Sequence, residues 1–154
     1  MERRALSQAE LERFIPHKGH AFFLCDAEVE GWSVRGTASW VATHPHLQGH
    51  FPGMPIVPGV YLVEAAAQLA GVAIHCAAGD SRPAEIGVLA GVRKSSFHRF
   101  VVPGQRVQFD LQVKAVPASA MYMASGTGHV DGAKVLTVDL TIASVAKDKM
   151  LEKA

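Results

Sequence analysis

The segment formed by residues 60–78 constrains the fold of this chain more than any other, because it is apolar on nearly every side. Pro58 and Gly59 precede the segment and Gly79 follows it. Proline at a helix start and glycine just past its end are common helix boundaries. The sequence therefore predicts a helix over residues 60–78. A helix that is apolar all round must be covered on every side by other elements.

The same segment has the length of a membrane span, but Glu64, Gln68 and His75 interrupt it and no basic flank follows it. Nothing else in the chain is long enough to span a bilayer. The first residues also lack the apolar run of a secretory signal. We therefore expect a buried helix in a soluble, cytoplasmic protein without a membrane span.

The rest of the chain supplies the cover for this helix. Several segments are predicted to be strands from their apolar or alternating patterns. They are residues 21–29, 33–43, 85–92, 106–116, 118–130 and 134–146. Asp131-Gly132 has the composition of a two-residue hairpin turn with positive φ, and Pro117 marks another short reversal. Closely spaced hairpins imply an antiparallel sheet, so we predict an α+β fold in which one curved sheet packs on one central helix.

The remaining segments are connections and ends. A capping box that begins at Ser7 predicts a short helix over residues 8–14, which Pro16 ends. Residues 44–59 contain four prolines and three glycines, which predicts a constrained loop without regular structure. The charged tail after Lys147 is expected to be frayed.

Composition limits the class of protein. A chain of 154 residues fits a single domain over residues 1–154. Its net charge of +1 is too balanced to indicate a nucleic-acid-binding protein. Cys25 and Cys76 have neither a CxxC partner nor metal-ligand spacing, so we interpret them as reduced thiols of a cytosolic protein.

Glu64 is the residue that fits its surroundings least, because its neighbours on the predicted helix are apolar. Desolvation there would raise its pKa, so a neutral carboxylic acid near pH 7 is expected. Gln68 lies on the same face of the helix and can hydrogen-bond to this acid and orient it. The alternative is a carboxylate that only complements the positive end of the helix dipole.

His50 and Gly59 add two more elements of a candidate site. His50 precedes Phe51 and Pro52 in a stretch with little backbone freedom, so its imidazole can be held in one orientation as a base. Gly59, preceded by Pro58, lies at the predicted helix start, where backbone N–H groups are free to polarise a carbonyl. Base, acid and N–H donor together describe removal of a proton α to a carbonyl, with loss or gain of water at the β-carbon. The alternatives are a structural histidine and a turn glycine.

In these residues the sequence resembles the 3-hydroxyacyl-acyl carrier protein dehydratases of the FabZ type, members of the hot-dog fold superfamily. The most specific match is residues 49–60, Gly-His-Phe-Pro-Gly-Met-Pro-Ile-Val-Pro-Gly-Val, followed by Val63-Glu64-Ala65 and Ala67-Gln68. Weaker matches extend over nearly the whole chain. They include residues 15–17, 22–26, 89–92, 101–104 and 130–132.

The resemblance implies a hot-dog fold and a homodimer whose sheets join edge to edge, often assembled further as a trimer of dimers. It also implies that His50 of one subunit faces Glu64 of the other. His50 would take the C2 proton, Glu64 would protonate or position the departing β-hydroxyl, and the Gly59 N–H would polarise the thioester carbonyl. The supporting residues would be Gln68, Phe51, Pro52 and Pro58.

The resemblance further implies the substrate and its carrier. The acyl group would arrive on the phosphopantetheine arm of an acyl carrier protein, in fatty-acid or related specialised lipid or polyketide biosynthesis, and leave as a trans-2-enoyl thioester. No metal or redox cofactor is implied. Glutamate at position 64 resembles the residue found in the branch of the family that dehydrates without moving the double bond. Tyr61 stands where the family usually has an aliphatic residue, which leaves the acyl chain length open.

A run of basic residues follows the predicted strand over 85–92. The run consists of Arg93, Lys94, His98, Arg99 and Arg106. Arg93, Lys94, Arg99 and Arg106 are candidate contacts for an acidic carrier protein and its phosphate. The alternative is an ordinary solvated face.

Three further hypotheses need discriminating. His44, His46 and His50 have a spacing that zinc could use, but Pro45 and the prolines after it break regular geometry, so no metal site is predicted. A hot-dog thioesterase would use Glu64 to activate water. A non-catalytic acyl-binding subunit would pair with an active homologue, although the presence of both His50 and Glu64 argues against it.

Overall fold

The computed structural model describes residues 2–79 and 85–152. Its strands are β1 (Arg4–Leu6), β2 (Leu24–Glu30), β3 (Ser33–Ala38), β4 (Glu85–Phe97), β5 (Val107–Ala115), β6 (Met121–Val130) and β7 (Ala133–Ala146). Its helices are α1 (Gln8–Phe14), α2 (Pro45–Gly49), α3 (Gly59–Ala78) and α4 (Lys147–Leu151), with a 3-10 turn at Gly19–Ala21. The strands form one seven-stranded sheet in the order β1-β2-β3-β5-β6-β7-β4. Every neighbouring pair is antiparallel.

Helix α3 is the centre of the core and contacts each strand from β2 to β7. Its buried residues include Leu62, Leu69 and Val72, none more than 2% exposed. Burying side chains of this size stabilises a fold by about 1.5–3 kcal/mol each. By length and apolarity α3 could cross a membrane, yet more than half of it is buried inside this fold, as in the core helix of a soluble protein. The predicted central helix and the α+β hot-dog architecture are therefore confirmed.

The sheet is apolar on one face, as strand β5 shows. Val107, Phe109, Leu111 and Val113 are buried, whereas the residues between them are exposed. This alternation sets the register of β5, because a shift by one residue would turn the apolar side chains towards solvent. Only one face of the sheet therefore packs on α3.

Two predicted turns are confirmed. Asp131 and Gly132 have φ angles of 48° and 79° and connect β6 to β7. Positive φ at both central residues is what the right-handed twist of a two-residue hairpin requires. The reversal near Pro117 is closed by a hydrogen bond of 2.9 Å from the Val116 N–H to the Met121 carbonyl.

The prediction that residues 44–59 form no regular structure is wrong. Helix α2 occupies part of this segment, with Pro45 at its first position. The Nδ1 atom of His44 caps the helix by accepting a hydrogen bond of 3.3 Å from the His46 N–H. The N–H group at the first position of a helix has no partner within the helix, so a proline there costs nothing. The segment can therefore form one short helix despite its composition.

Several boundaries also differ from the predictions. The strand predicted over 33–43 ends at Ala38, and the one predicted over 85–92 continues to Phe97. The strand predicted over 21–29 starts at Leu24, because the preceding backbone bonds to Gln68 instead of to a strand. Strand β1 was not predicted, and the tail expected to be frayed forms α4. Short end segments carry too little periodicity to reveal such pairing.

Candidate active site

His50 ends α2 and is held by the loop that follows it. Its Nδ1 lies 2.8 Å from the Ile56 carbonyl oxygen, and the Ile56 N–H donates a 2.7 Å hydrogen bond to the His50 carbonyl. A carbonyl oxygen can only accept, so Nδ1 carries the proton and Nε2 keeps its lone pair in the neutral ring. The half-buried His50 is therefore held in one orientation, with Nε2 as its unprotonated nitrogen.

The residues around His50 form the rest of this loop. The Phe51 ring stacks on the imidazole with 4.3 Å between centroids, and Phe51 remains 48% exposed. The Val57 N–H donates a 2.8 Å hydrogen bond to the Val101 carbonyl, which ties the loop to the segment before β5. Pro52 is exposed, and Pro58 is the N-cap residue of α3. The two prolines stiffen the backbone on either side of the loop.

Glu64 lies on the second turn of α3, with its side chain 36% exposed. Its Oε1 atom is 3.0 Å from His17 Nε2 and accepts a 3.0 Å hydrogen bond from Gln68 Nε2. The hydrogen bond from His17, supported by that from Gln68, holds the pKa of the Glu64 carboxyl below its usual range despite partial burial. The expectation of a raised pKa is therefore wrong for the single chain, because two donors outweigh desolvation.

Gln68 is the most firmly held residue of this group and is 2% exposed. Its Oε1 accepts a 3.0 Å hydrogen bond from the Phe23 N–H, and its Nε2 donates to the Ala21 carbonyl at 2.7 Å. A buried amide with partners at both ends has one orientation. The predicted contact between Gln68 and Glu64 is confirmed, and Gln68 also joins α3 to the segment before β2.

Gly59 is the first residue of α3, where backbone N–H groups lack partners within the helix. A Cβ atom at this position would lie 2.9–3.1 Å from three ring atoms of Phe97. Glycine therefore lets an aromatic ring from the end of β4 lie directly over the helix start. Phe97 itself is 51% exposed, so its ring forms part of the surface around Gly59.

His50 and Glu64 share no hydrogen bond within the described parts of one chain. Among residues 2–79 and 85–152, their hydrogen bonds run to different partners and none joins the two side chains. One subunit thus brings together Glu64, Gln68 and His17, with His50 on a separate loop.

Residues 27–139 match the family model of the FabA-like domain. The chain belongs to this family. It is 34% identical over 143 residues to the 3-hydroxyacyl-[acyl-carrier-protein] dehydratase FabZ of Alkaliphilus metalliredigens, an alignment that covers 91% of this chain and 95% of the relative.

Solved structures resemble this FabA-like chain in fold. The dehydratase heterocomplex ApeI:P from Xenorhabdus doucetiae includes a chain with a TM-score of 0.75 at 17% identity, covering 93% of this chain and 95% of that one. The fluoroacetyl-CoA thioesterase FlK has a TM-score of 0.64 at 13% identity, covering 81% and 93%. At such identities these neighbours bear on the fold alone.

Three other histidines of this FabA-like protein, His20, His44 and His46, form a cluster with Tyr61. His46 Nδ1 hydrogen-bonds to the Tyr61 hydroxyl, and the His44 ring lies edge-on to the rings of His20, His46 and Tyr61. Within the described parts of the chain, no group of three metal-ligating side chains is arranged to hold an ion. His44 and His46 thus have structural partners and do not converge on His50.

The basic run divides into paired and unpaired residues. Arg93 lies 3.9 Å from Asp139 and Arg106 lies 3.6 Å from Asp26, so each has a carboxylate partner. Lys94 and Arg99 are exposed, and neither has an ion-pair partner in the described residues. Fewer cations of the basic run are therefore available to a partner than the sequence predicts.

His17 is the site residue that the sequence reasoning did not single out. It lies far from Glu64 along the chain, beyond the end of α1, so no helical or strand spacing relates the two. The one available signal was the resemblance of residues 15–17 to the family's N-terminal segment.

Proposed function

We propose that this FabA-like chain is a 3-hydroxyacyl-acyl carrier protein dehydratase that forms trans-2-enoyl thioesters in the cytoplasm, in fatty-acid or related lipid biosynthesis. The observation that carries the proposal is a match to FabZ dehydratases over nearly the whole of both chains. The geometry is consistent with it, because an imidazole with a free Nε2 and a helix-borne carboxyl are the two groups that the reaction needs.

The first step would use His50 as the base. Its Nδ1 proton is committed to the Ile56 carbonyl, so Nε2 can accept the C2 proton of the thioester. Positive charge that develops on the ring is stabilised through the same hydrogen bond. The backbone N–H of Gly59 would donate to the thioester oxygen, where negative charge accumulates as the C–H bond breaks.

The second step would use Glu64 at the β-carbon. The C–O bond breaks and the departing hydroxyl takes a proton from the Glu64 carboxyl, so that water leaves and the C2–C3 double bond forms. The acyl chain would cover the half-exposed carboxyl and remove water from it. Desolvation raises a carboxyl pKa, which opposes the hydrogen bonds that lower it in the free chain. The base, the acid and the N–H donor supply these proton transfers, so we propose that the reaction needs no metal or redox cofactor.

The two groups would meet across a homodimer. The sheet has two edges: β1, with three residues, and β4, with thirteen. Strand β4 exposes Leu89, Val92 and Phe97, which are 39–51% accessible in the single chain. A long, apolar edge strand is a template for pairing with another strand. We propose that β4 pairs with β4 of a second copy, which places Phe97 and the neighbouring Gly59 close to the partner subunit.

The carrier protein would bind near the end of β4. Lys94 and Arg99 are the cations of the basic run that lack carboxylate partners in the described chain, and Phe100, next to Arg99, is 81% exposed. An acidic carrier is steered by unpaired positive charge, and an exposed aromatic ring adds contact area. We propose Lys94 and Arg99 as the principal carrier contacts, with Arg93 and Arg106 in lesser roles.

A direct assay tests this function. Purified protein is incubated with a 3-hydroxyacyl-acyl carrier protein, and the loss of one water from the acyl group is followed by mass spectrometry. We expect turnover by the wild type and a decrease in kcat of about 10²- to 10⁴-fold for His50→Ala and for Glu64→Gln. Absence of dehydration by the wild type, or full activity in both variants, would show that the proposal is wrong.

Assays of the same purified protein distinguish the dehydratase from two alternative functions. The thioesterase alternative shares its fold with FlK, and it predicts release of free thiol from the acylated carrier. A non-catalytic partner subunit predicts that the homomer does not turn over and that a homologous partner restores activity.

A further inference from the structure

The two oxygens of the Glu64 carboxyl have different surroundings. Oε1 lies 3.0 Å from His17 Nε2 and 3.0 Å from Gln68 Nε2. A carboxylate oxygen offers about two lone-pair positions, so these two donors occupy Oε1 fully. Oε2 makes no hydrogen bond to any of residues 2–79 and 85–152.

The Gln68 donor cannot be withdrawn from Oε1 without cost. Reversing the Gln68 amide would place its oxygen against the Ala21 carbonyl and its NH₂ group against the Phe23 N–H, which are 2.7 and 3.0 Å from their present partners. Both contacts would be repulsive in a buried setting. Gln68 therefore donates to Glu64 in any state that keeps this packing.

His17 contributes the second donor, and its other polar atom has no role. The side chain is 27% exposed, and its Nδ1 atom is buried without a hydrogen-bond partner in the described chain. A buried polar atom left unpaired costs about 1–3 kcal/mol, a cost that the contact of Nε2 with Glu64 helps to offset. Its polar function is confined to the contact between Nε2 and Glu64.

We propose that His17 is a positioning residue for the dehydration: with Gln68 it occupies Oε1 of Glu64 and leaves Oε2 for the hydroxyl group of the substrate. This inference rests on the proposed function. The transferable proton would reside on Oε2. As the C3–O bond breaks, the hydroxyl takes that proton and leaves as water, while His50 Nε2 holds the proton from C2. His50 then releases its proton to water, and the Glu64 carboxylate takes up a proton from water. The enzyme is thus restored without a co-reactant.

Two substitutions separate positioning from packing. His17→Leu removes the donor, whereas His17→Gln places an amide N–H near the position of Nε2 without the imidazole. We expect kcat of His17→Leu to fall about 10- to 100-fold with little change in KM, because a displaced carboxyl affects the reacting geometry more than binding. His17→Gln should retain most of the activity. Equal losses in the two variants, or a change in KM alone, would overturn the inference.

The pH dependence of kcat supplies a readout that a structural role would not change. His17 lowers the pKa of Glu64, so its removal raises that pKa. Activity that needs the protonated carboxyl falls as the pH rises through its pKa, so the corresponding limb should move to higher pH in His17→Leu. An unmoved limb would contradict the inference.

A double-mutant cycle tests whether His17 acts through Glu64. In the Glu64→Gln background, His17→Leu should cause little further loss, because the group that it positions is already changed. A full additional loss would mean that His17 acts elsewhere. If His17→Leu fails to fold, His17→Asn replaces it, since its amide is too short to reach Oε1. Wild-type turnover with unaffected variants overturns this inference alone, whereas an inactive wild type overturns the proposed function as well.

Discussion

The Nδ1 atom of His50 donates a 2.8 Å hydrogen bond to the carbonyl oxygen of Ile56. This single contact selects the tautomer of the imidazole and the direction of its free nitrogen. The same loop returns a hydrogen bond from the Ile56 N–H to the His50 carbonyl at 2.7 Å. His50 is therefore oriented by backbone groups of its own loop and needs no carboxylate partner.

The orientation of His50 predicts chemical rescue. His50→Ala removes the base but keeps the backbone hydrogen bond from Ile56, so the loop should persist and leave space for a small base. Free imidazole should restore part of the lost dehydration, measured as kcat/KM against imidazole concentration. His46→Ala serves as a control, because His46 bonds to Tyr61 and its loss should not respond to imidazole. Absence of rescue in a folded His50→Ala protein would argue against the role of His50 as a base.

The proposed dimer predicts complementation between subunits, because His50 and Glu64 share no hydrogen bond within the described chain. Mixed dimers of His50→Ala and Glu64→Gln subunits should contain one intact site each, although neither parent is active. At equal amounts, half of all dimers are mixed, so about a quarter of wild-type activity is expected on statistical pairing. Subunit exchange is checked by native mass spectrometry. No recovery despite exchange would mean that the two residues act within one chain.

The close approach of Phe97 to Gly59 predicts that substitutions at these two positions affect activity in a coupled way. In Gly59→Ala the new methyl group would overlap the Phe97 ring, which lies 2.9–3.1 Å from that position. We expect kcat/KM to fall about tenfold or more as the ring or the helix start shifts. In the Phe97→Ala background, Gly59→Ala should cost less, because the ring that the methyl group would overlap is gone. Strictly additive effects of the two substitutions would contradict this prediction.

The buried amide of Gln68 predicts a loss of stability. Gln68→Leu leaves the Phe23 N–H and the Ala21 carbonyl without their partners, which should lower the free energy of unfolding by about 2–4 kcal/mol. Denaturant unfolding followed by circular dichroism measures this change. Gln48→Leu, at an exposed glutamine of α2, is the matched control and should change stability by less than about 0.5 kcal/mol. A similar effect of both variants would contradict the assignment.

The capping box of α1 predicts a defined pH dependence. Hydrogen bonds from the Ser7 N–H, Arg4 and the Ser7 hydroxyl lower the pKa of Glu10 from an ordinary value of 4.5 to about 2. A lowered pKa in the folded state adds stability that is fully present above the unfolded value and disappears as the pH falls through the folded value. The stability difference between wild type and Glu10→Gln should therefore be constant above about pH 4.5 and vanish near pH 2.

Denaturant unfolding across this pH range gives the measurement. Glu12→Gln, on the same helix but outside the capping box, is the control variant. A difference that persisted unchanged to pH 2 would mean that the charge of Glu10 does not contribute.

Local patterns were sufficient for much of the fold. The apolar helix, the capping box at Ser7 and the Asp131-Gly132 turn depend on residues close together in sequence, and all three are confirmed. The predicted contact between Gln68 and Glu64 belongs to the same class, because residues four apart on a helix share a face. Helix α2 could have been predicted from Pro45, but the surrounding prolines and glycines obscured it.

Features that depend on distant residues were not accessible in this way. The pKa of Glu64 was expected to be raised because its sequence neighbours are apolar, yet His17 approaches from beyond α1 and reverses the direction. The pairing of Arg93 with Asp139 and of Arg106 with Asp26 likewise depends on how the strands lie beside one another. Periodicity describes one element at a time and contains no information about such contacts.

The sequence by itself determined that a helix apolar on all sides must be enclosed by an antiparallel sheet, and that a histidine in a stiff loop precedes a carboxyl on that helix. Burial of apolar surface and local turn geometry require no more than neighbouring residues. Only the tertiary structure decided which atoms of those groups are free. In the described chain, Nε2 of His50 and Oε2 of Glu64 have no hydrogen-bond partner, whereas their companion atoms bind Ile56, His17 and Gln68. Those contacts exist only once the chain has folded.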